Sequence, residues 1–221
     1  MGERITITSS DGASIPAWLA RPAGSPKGCV VVVQEIFGVN DHVRWVCEEQ
    51  YARAGYVAVA PCVFDRLEAG VELAYNPESV ARGRELVDRL GVDAPLRDIR
   101  AAADRFGAGL KTGVVGYCWG GTIAFLASTR LGLPAVGYYG GRTVPYLHER
   151  PQAPLMLHFG ELDAIITADV VAKTRAALPQ ATVHTYPAGH GFNRFGHPDW
   201  HDESARLAYS RTLEFFERHL R

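Results

Sequence analysis

The feature that most limits how this chain folds is an alternation of short apolar runs with stretches of helical spacing. The run "CVVVVQ" (29–34) is continuous and β-branched, as a central strand covered on both faces would be, and "YVAVAP" (56–61) is a second of the kind. "GVVGY" (113–117), "PAVGYYG" (134–140), "PLMLHFG" (154–160) and "TVHTYP" (182–187) read as further strands. Helical spacing occupies 40–54, 77–90, 95–107, 120–131, 168–178 and 201–220. Asn40 or Asp41 is a natural N-cap for the first of these, and Leu207, Leu213, Phe216 and Leu220 are apolar positions of the last. Strands joined through helices imply an α/β fold: a mostly parallel sheet with helices on both faces. Residues 4–9 and 14–19 flank an Asp-Gly turn and predict an antiparallel opening hairpin, which brings the count to about eight strands. No repeat, low-complexity tract or long linker divides the 221 residues, so a single domain over 1–221 is expected.

Composition narrows the function classes. With 47% hydrophobic and 21% charged residues, the chain can bury a sizeable core without staples. A net charge of −1 gives no reason to expect nucleic acid or an anionic membrane as a partner. The run "CVVVV" is far too short to span a bilayer, and the charged, alternating start MGERITITSSDG lacks the apolar segment of a secretory leader. The four cysteines (29, 47, 62, 118) have no CxxC spacing; reduced thiols in a cytoplasmic protein are the expectation.

Three of those cysteines sit in apolar runs. Cys118 does not: it stands at the tip of a strand-to-helix turn, Gly116-Tyr117-Cys118-Trp119-Gly120, which fits G-x-nucleophile-x-G. Glycines two residues either side let strand and helix approach closely, and the helix N-terminus favours both a thiolate and the oxyanion formed on attack. A thiol nucleophile wants a base, and the base an orienting acid. Both occur downstream at strand ends, Asp163 in "GELD" and His190 in "AGHGF". The order nucleophile, acid, histidine is the one this elbow takes. Glu161 and Asp169 are rival acids, but Asp163 lies just beyond the strand at a loop apex. His158 falls inside a strand and reads as a core or supporting residue, and His184 as a sheet-face residue. His197, His201 and Asp202 read as a polar loop and helix start; no metal site and no cofactor are expected.

A second unusual element is "VVVVQEIFGVND" (30–41), where Glu35 sits at the end of a central strand. Its carboxylate is either half of a structural salt bridge or a contact of the nucleophile. The loop after that strand commonly supplies the second oxyanion donor, so the Ile36 N–H, paired with the Trp119 N–H, is the expected oxyanion hole.

Taken together, "QEIFGVND", "GYCWGG", "GELDAII" and "AGHGFNR" make the chain resemble the dienelactone hydrolase (carboxymethylenebutenolidase) family of the α/β-hydrolase fold, in length, order and motif spacing over nearly its whole extent. The resemblance implies a Cys118–His190–Asp163 triad and a switchable Glu35 that helps turn the thiol into a thiolate. It also implies arginines that bind a substrate carboxylate, whose shape suits the guanidinium fork. Arg194 falls at one such position and Arg82 at the other, with Arg84 as fallback. Phe37 and Tyr138, with Trp119 and Tyr139, are expected to line the pocket. The chain departs from the family at Gly191, where serine is frequent, and at Leu86, where an aromatic residue is expected. The implied reaction opens an enol lactone or activated ester, of the dienelactone-to-maleylacetate type, with no cofactor, in a monomer. A carboxylesterase or thioesterase of the same fold and a noncatalytic small-ligand binder are the alternatives.

Overall fold

The computed structural model describes residues 2–221. Its eight strands form a mostly parallel sheet flanked by helices. Packing groups the residues into two compact units, one ending at Gly113 and including Leu220, the other running from Val114 to His219 with Arg221.

The first unit holds β1 (Glu3–Thr8), β2 (Ser14–Ala20), β3 (Cys29–Val33) and β4 (Val57–Pro61), in the order β1-β2-β4-β3. β1 and β2 form the expected antiparallel hairpin, Glu3 opposite Leu19. β2 is also antiparallel to β4, so β2 alone runs against its neighbours, while β3 and β4 are parallel. Every residue of β3 and β4 is buried, as their unbroken apolar runs require.

Helical segments complete this unit, among them a short 3-10 turn at Val63–Arg66. α1 (Asp41–Trp45) is capped by Asn40, whose Oδ1 accepts from the Val43 N–H. It does not continue as an α-helix to residue 54: Val46–Ala52 widens into a π-helix. Buried Val43, Val46, Cys47 and Tyr51 keep one face inward through both forms, so apolar spacing could not tell them apart. α2 (Pro77–Leu90) starts under an Asn76 cap with proline in its first turn, and α3 is Asp93–Phe106.

The second unit holds β5 (Thr112–Tyr117), α4 (Trp119–Leu131), β6 (Ala135–Tyr138), β7 (Leu155–Gly160), α5 (Ala168–Ala177), β8 (Thr182–Tyr186) and α6 (Asp202–His219). Its four strands are parallel in the order β5-β6-β7-β8, with Tyr117 opposite Tyr138 and Gly160 opposite Tyr186. In-register parallel strands end at one edge, so Cys118, Tyr139 and the loops after β7 and β8 emerge together. α6 buries Ser204, Ala205, Ala208, Thr212, Phe215 and Phe216, whereas Leu207, expected in its apolar stripe, is exposed. No helix among the described residues is long and apolar enough to cross a membrane.

Candidate active site

The turn at Cys118 is built by close approach. Cys118 has φ 54° and ψ −120°, a conformation unfavourable for a side chain, and caps α4. Its N–H donates to the Tyr138 carbonyl (3.0 Å) and its carbonyl accepts from Gly121 (2.9 Å), fixing both arms of the elbow. A Cβ on Gly116 would lie 1.8 Å from the Gly120 carbonyl oxygen, so strand and helix meet this tightly only because residue 116 is glycine. The other thiols differ in setting. Burial pushes Cys29 and Cys62 up to about 12 and raises Cys47 as well, which keeps all three protonated.

Asp163 and His190 come from the loops after β7 and β8. The loops are laced together by Glu161 N–H to Tyr186 O (2.7 Å) and Leu162 N–H to Ala188 O (3.0 Å). Gly160 permits this, since a Cβ there would sit 2.2 Å from the Ala188 oxygen. The Asp163 carboxylate is buried. Its Oδ1 accepts from the N–H groups of Ile165 (2.7 Å) and Ile166 (3.0 Å), and its Oδ2 from His190 Nδ1–H at 2.8 Å. Burial raises its pKa, but the His190 hydrogen bond and charge and the two backbone donors outweigh that and hold it below the usual range. His190 is the converse. Burial lowers its pKa, yet the hydrogen bonds and charges of Asp163 and Cys118 lift it to about 10. Its Nε2 makes no hydrogen bond of normal geometry, so the Cys118 contribution is that of an imperfect contact between ring and sulfur. The candidate acid, base and nucleophile therefore meet within one unit.

The remaining expected residues fall as follows. Glu35 is buried at 1% exposure and its Oε2 accepts from the Tyr75 hydroxyl (3.2 Å). Ile36 and Phe37 are buried beside it, Phe37 with its ring 4.5 Å from that of Tyr75. Arg82 pairs with Glu68 and with Glu85 (2.8 Å) on the surface of the first unit. Arg194 is buried and donates to Asp199 at 2.6 Å; its guanidinium carbon lies 2.8 Å from where a Cβ of residue 191 would be, so it occupies space that Gly191 leaves. Trp119 is buried as the first residue of α4. Tyr138 differs from its expected pocket role. Its hydroxyl meets Thr212 at 2.7 Å in the core and its ring packs on Tyr117 and His158. Asp199 was not singled out from the sequence, although it lies five residues after Arg194. Thr212 and Tyr186 gave no sequence signal at all. Among the described residues no group of three or more His, Cys, Asp or Glu is arranged to hold a metal ion.

An α/β-hydrolase fold with this elbow defines a class of enzyme, and comparison narrows it. The sequence profile of the dienelactone hydrolase family matches residues 15–220. The carboxymethylenebutenolidase of Pseudomonas putida is 34% identical over 233 residues, covering 96% of this chain and 95% of that protein. That of Pseudomonas sp. strain P51 is 32% identical over 232 residues, covering 98% and 95%. The crystal structure of a protein provisionally named dienelactone hydrolase, from Klebsiella pneumoniae, superposes with a TM-score of 0.86 at 32% identity, covering 98% of both chains. This chain belongs to the dienelactone hydrolase family. It is a hydrolase acting on carboxylic ester or lactone bonds.

Proposed function

We propose that the protein opens an enol lactone or activated ester by a cysteine-nucleophile mechanism, in the cytoplasm and as a monomer. The observation that carries this reading is the hydrogen-bonded pair of buried Asp163 and half-buried His190, whose Nε2 makes no hydrogen bond of normal geometry and whose ring feels Cys118 at the strained elbow. A cationic imidazole beside the sulfur favours the thiolate, the attacking form. Glu35, in the role its family resemblance gives it, accepts the thiol proton once substrate is bound and returns it to the sulfur when the acid is released.

The thiolate adds to the substrate carbonyl, and the N–H groups of Ile36 and Trp119 hold the oxyanion. Collapse of this intermediate breaks the C–O bond, expels the enolate, which takes the proton from His190, and leaves an acyl thioester on Cys118. Water then attacks the thioester, giving its proton to neutral His190, and the thiolate leaves with the acid released. An enolate is a good leaving group, so the thiolate needs no strong acid in the first half-reaction. Arg82 and Arg194 are the proposed carboxylate ligands, with Phe37 as the proposed pocket aromatic.

A second reading has its own support. Arg82 is already paired with Glu68 and Glu85, and Arg194 with Asp199, which favours a neutral ester over a carboxylated lactone. Comparing kcat/KM on a dienelactone, a protoanemonin-like lactone and neutral aryl esters decides between them. The lactonase reading expects the carboxylated enol lactone to lead by about tenfold or more, the scale of one charge-assisted pair. An aryl ester in the lead overturns it in favour of a carboxylesterase.

A further inference from the structure

Two non-glycine residues among those described have a positive φ, and each directly follows one strand of a parallel pair: Cys118 (54°) after β5 and Tyr139 (40°) after β6. The elbow explains the first. For a bulky aromatic residue the left-handed region is unfavourable and persists only where its surroundings force it. Here they do. The Tyr138 carbonyl is held by Cys118 N–H (3.0 Å), and Tyr139 N–H donates to the His158 carbonyl (2.7 Å), so the chain leaving β6 is pinned on both sides.

Beneath it lies a hydrogen-bond chain whose protons can be counted. Thr212 gives its one hydroxyl proton to the Ala208 carbonyl (2.9 Å), so Tyr138 O–H (2.7 Å) and His158 Nε2–H (3.1 Å) must both donate to Thr212 Oγ1. With its proton on Nε2, His158 accepts at Nδ1 from Tyr186 O–H (2.8 Å), whose oxygen in turn accepts from Arg211 (3.1 Å). Every group is satisfied by neutral His158 in one tautomer. The chain ties β6, β7, β8 and α6 together directly below the residues at issue.

What the strained backbone achieves is the place of the Tyr139 ring. It is fully buried, 5.0 Å from the His190 ring at 59° and 5.5 Å from the Phe192 ring at 72°. The hydrogen bond to Asp163 anchors the imidazole at one nitrogen only, and the torsion at its ring is soft. A single anchor leaves the ring free to pivot about Nδ1. We propose that Tyr139 is a positioning residue for His190, its ring walling the imidazole so that Nε2 stays aimed at Cys118, with the buried His158 chain holding its left-handed backbone. This rests on the reading of His190 as the base.

The test compares Tyr139→Leu with Tyr139→Phe, using p-nitrophenyl acetate as substrate. Leucine should lower kcat by about 10- to 100-fold with KM changed less than about threefold, because misplacing a base by a fraction of its reach costs rate rather than binding. Phenylalanine should recover most of the loss. The substrate-free readout is the proton NMR signal of His190 Nδ1–H, held at low field by Asp163: it should broaden or vanish in Tyr139→Leu and persist in Tyr139→Phe. Should the leucine variant fail to fold, ring-to-ring NOEs between Tyr139 and His190 in the wild type take its place, and their absence overturns the proposal. An unchanged kcat and Nδ1–H signal in Tyr139→Leu also overturns it and leaves the triad standing. If instead Cys118→Ala keeps its activity, the triad reading fails, and the NMR signal still judges Tyr139.

Discussion

Replacing Asp163 by asparagine removes the charge of the Asp163–His190 pair while keeping its shape. In the wild type Oδ1 serves two backbone donors, Ile165 and Ile166, and Oδ2 serves His190. Asparagine has one acceptor oxygen. Two backbone donors outweigh one ring nitrogen, so the amide oxygen takes the Oδ1 position and its NH₂ faces His190. The ring must then accept at Nδ1 and carry its proton on Nε2, where a general base needs a lone pair. Turnover of p-nitrophenyl acetate should fall by about 10²-fold or more. Stability should change in step. The folded pKa of His190 stands at about 10 against an ordinary 6.5: burial lowers it, and the hydrogen bonds and charges of Asp163 and Cys118 raise it by more. At about 1.4 kcal/mol per unit the difference corresponds to roughly 5 kcal/mol. Because the folded value is the higher one, this stabilisation is complete below pH 6.5 and is lost as pH rises toward 10. Denaturant titrations at intervals from pH 6.5 to 10 should show wild-type stability falling over that window. In Asp163→Asn the fall should shrink by about half or more, the remainder coming from Cys118. The same slope in both proteins, with kcat within about threefold, would refute the argument.

Three further outcomes are expected. Glu35→Gln should lower kcat by about 10²-fold if the carboxylate takes the thiol proton; a lowered Tm with kcat near wild type would make it a structural group held by Tyr75. Cys118→Gly and Cys118→Ala should both lose hydrolysis, but the glycine variant should be the more stable by about 1 kcal/mol in denaturant unfolding, since only alanine keeps a Cβ at φ 54°. The reverse order would contradict a strained elbow. Arg194→Ala should raise KM about ten- to hundredfold for carboxylated lactones and hardly affect neutral aryl esters; equal losses on both would make it a brace for Asp199.

How much of this was legible in the sequence follows from what each signal physically encodes. Strand runs such as CVVVV announce themselves because burial on both faces excludes polar residues, and all of β3 and β4 is buried. Asp163 and His190 were legible because strand ends in a parallel sheet share an edge, so chain order and chemistry select them without coordinates. The π-helix at Val46–Ala52 was not, because a widened turn leaves the apolar spacing almost unchanged. In α6, hydrophobicity pointed to Leu207, which is exposed, and passed over Thr212, which is buried because its hydroxyl serves Tyr138 and His158. Tyr138 and Tyr139 are adjacent in sequence and of one type. The strand's alternation and the left-handed backbone at Tyr139 separate them, one hydroxyl going into the core and the other ring against His190.

Mass spectrometry of the enzyme during turnover shows whether Cys118 carries the acyl group. The protein is quenched in acid while hydrolysing an aryl ester or enol lactone, then digested. One acyl adduct is expected, on the peptide containing Cys118, that vanishes in Cys118→Ala together with all but a trace of kcat. An adduct on another residue, or retention of more than about 10% of kcat with Cys118 replaced or blocked by iodoacetamide, would contradict it.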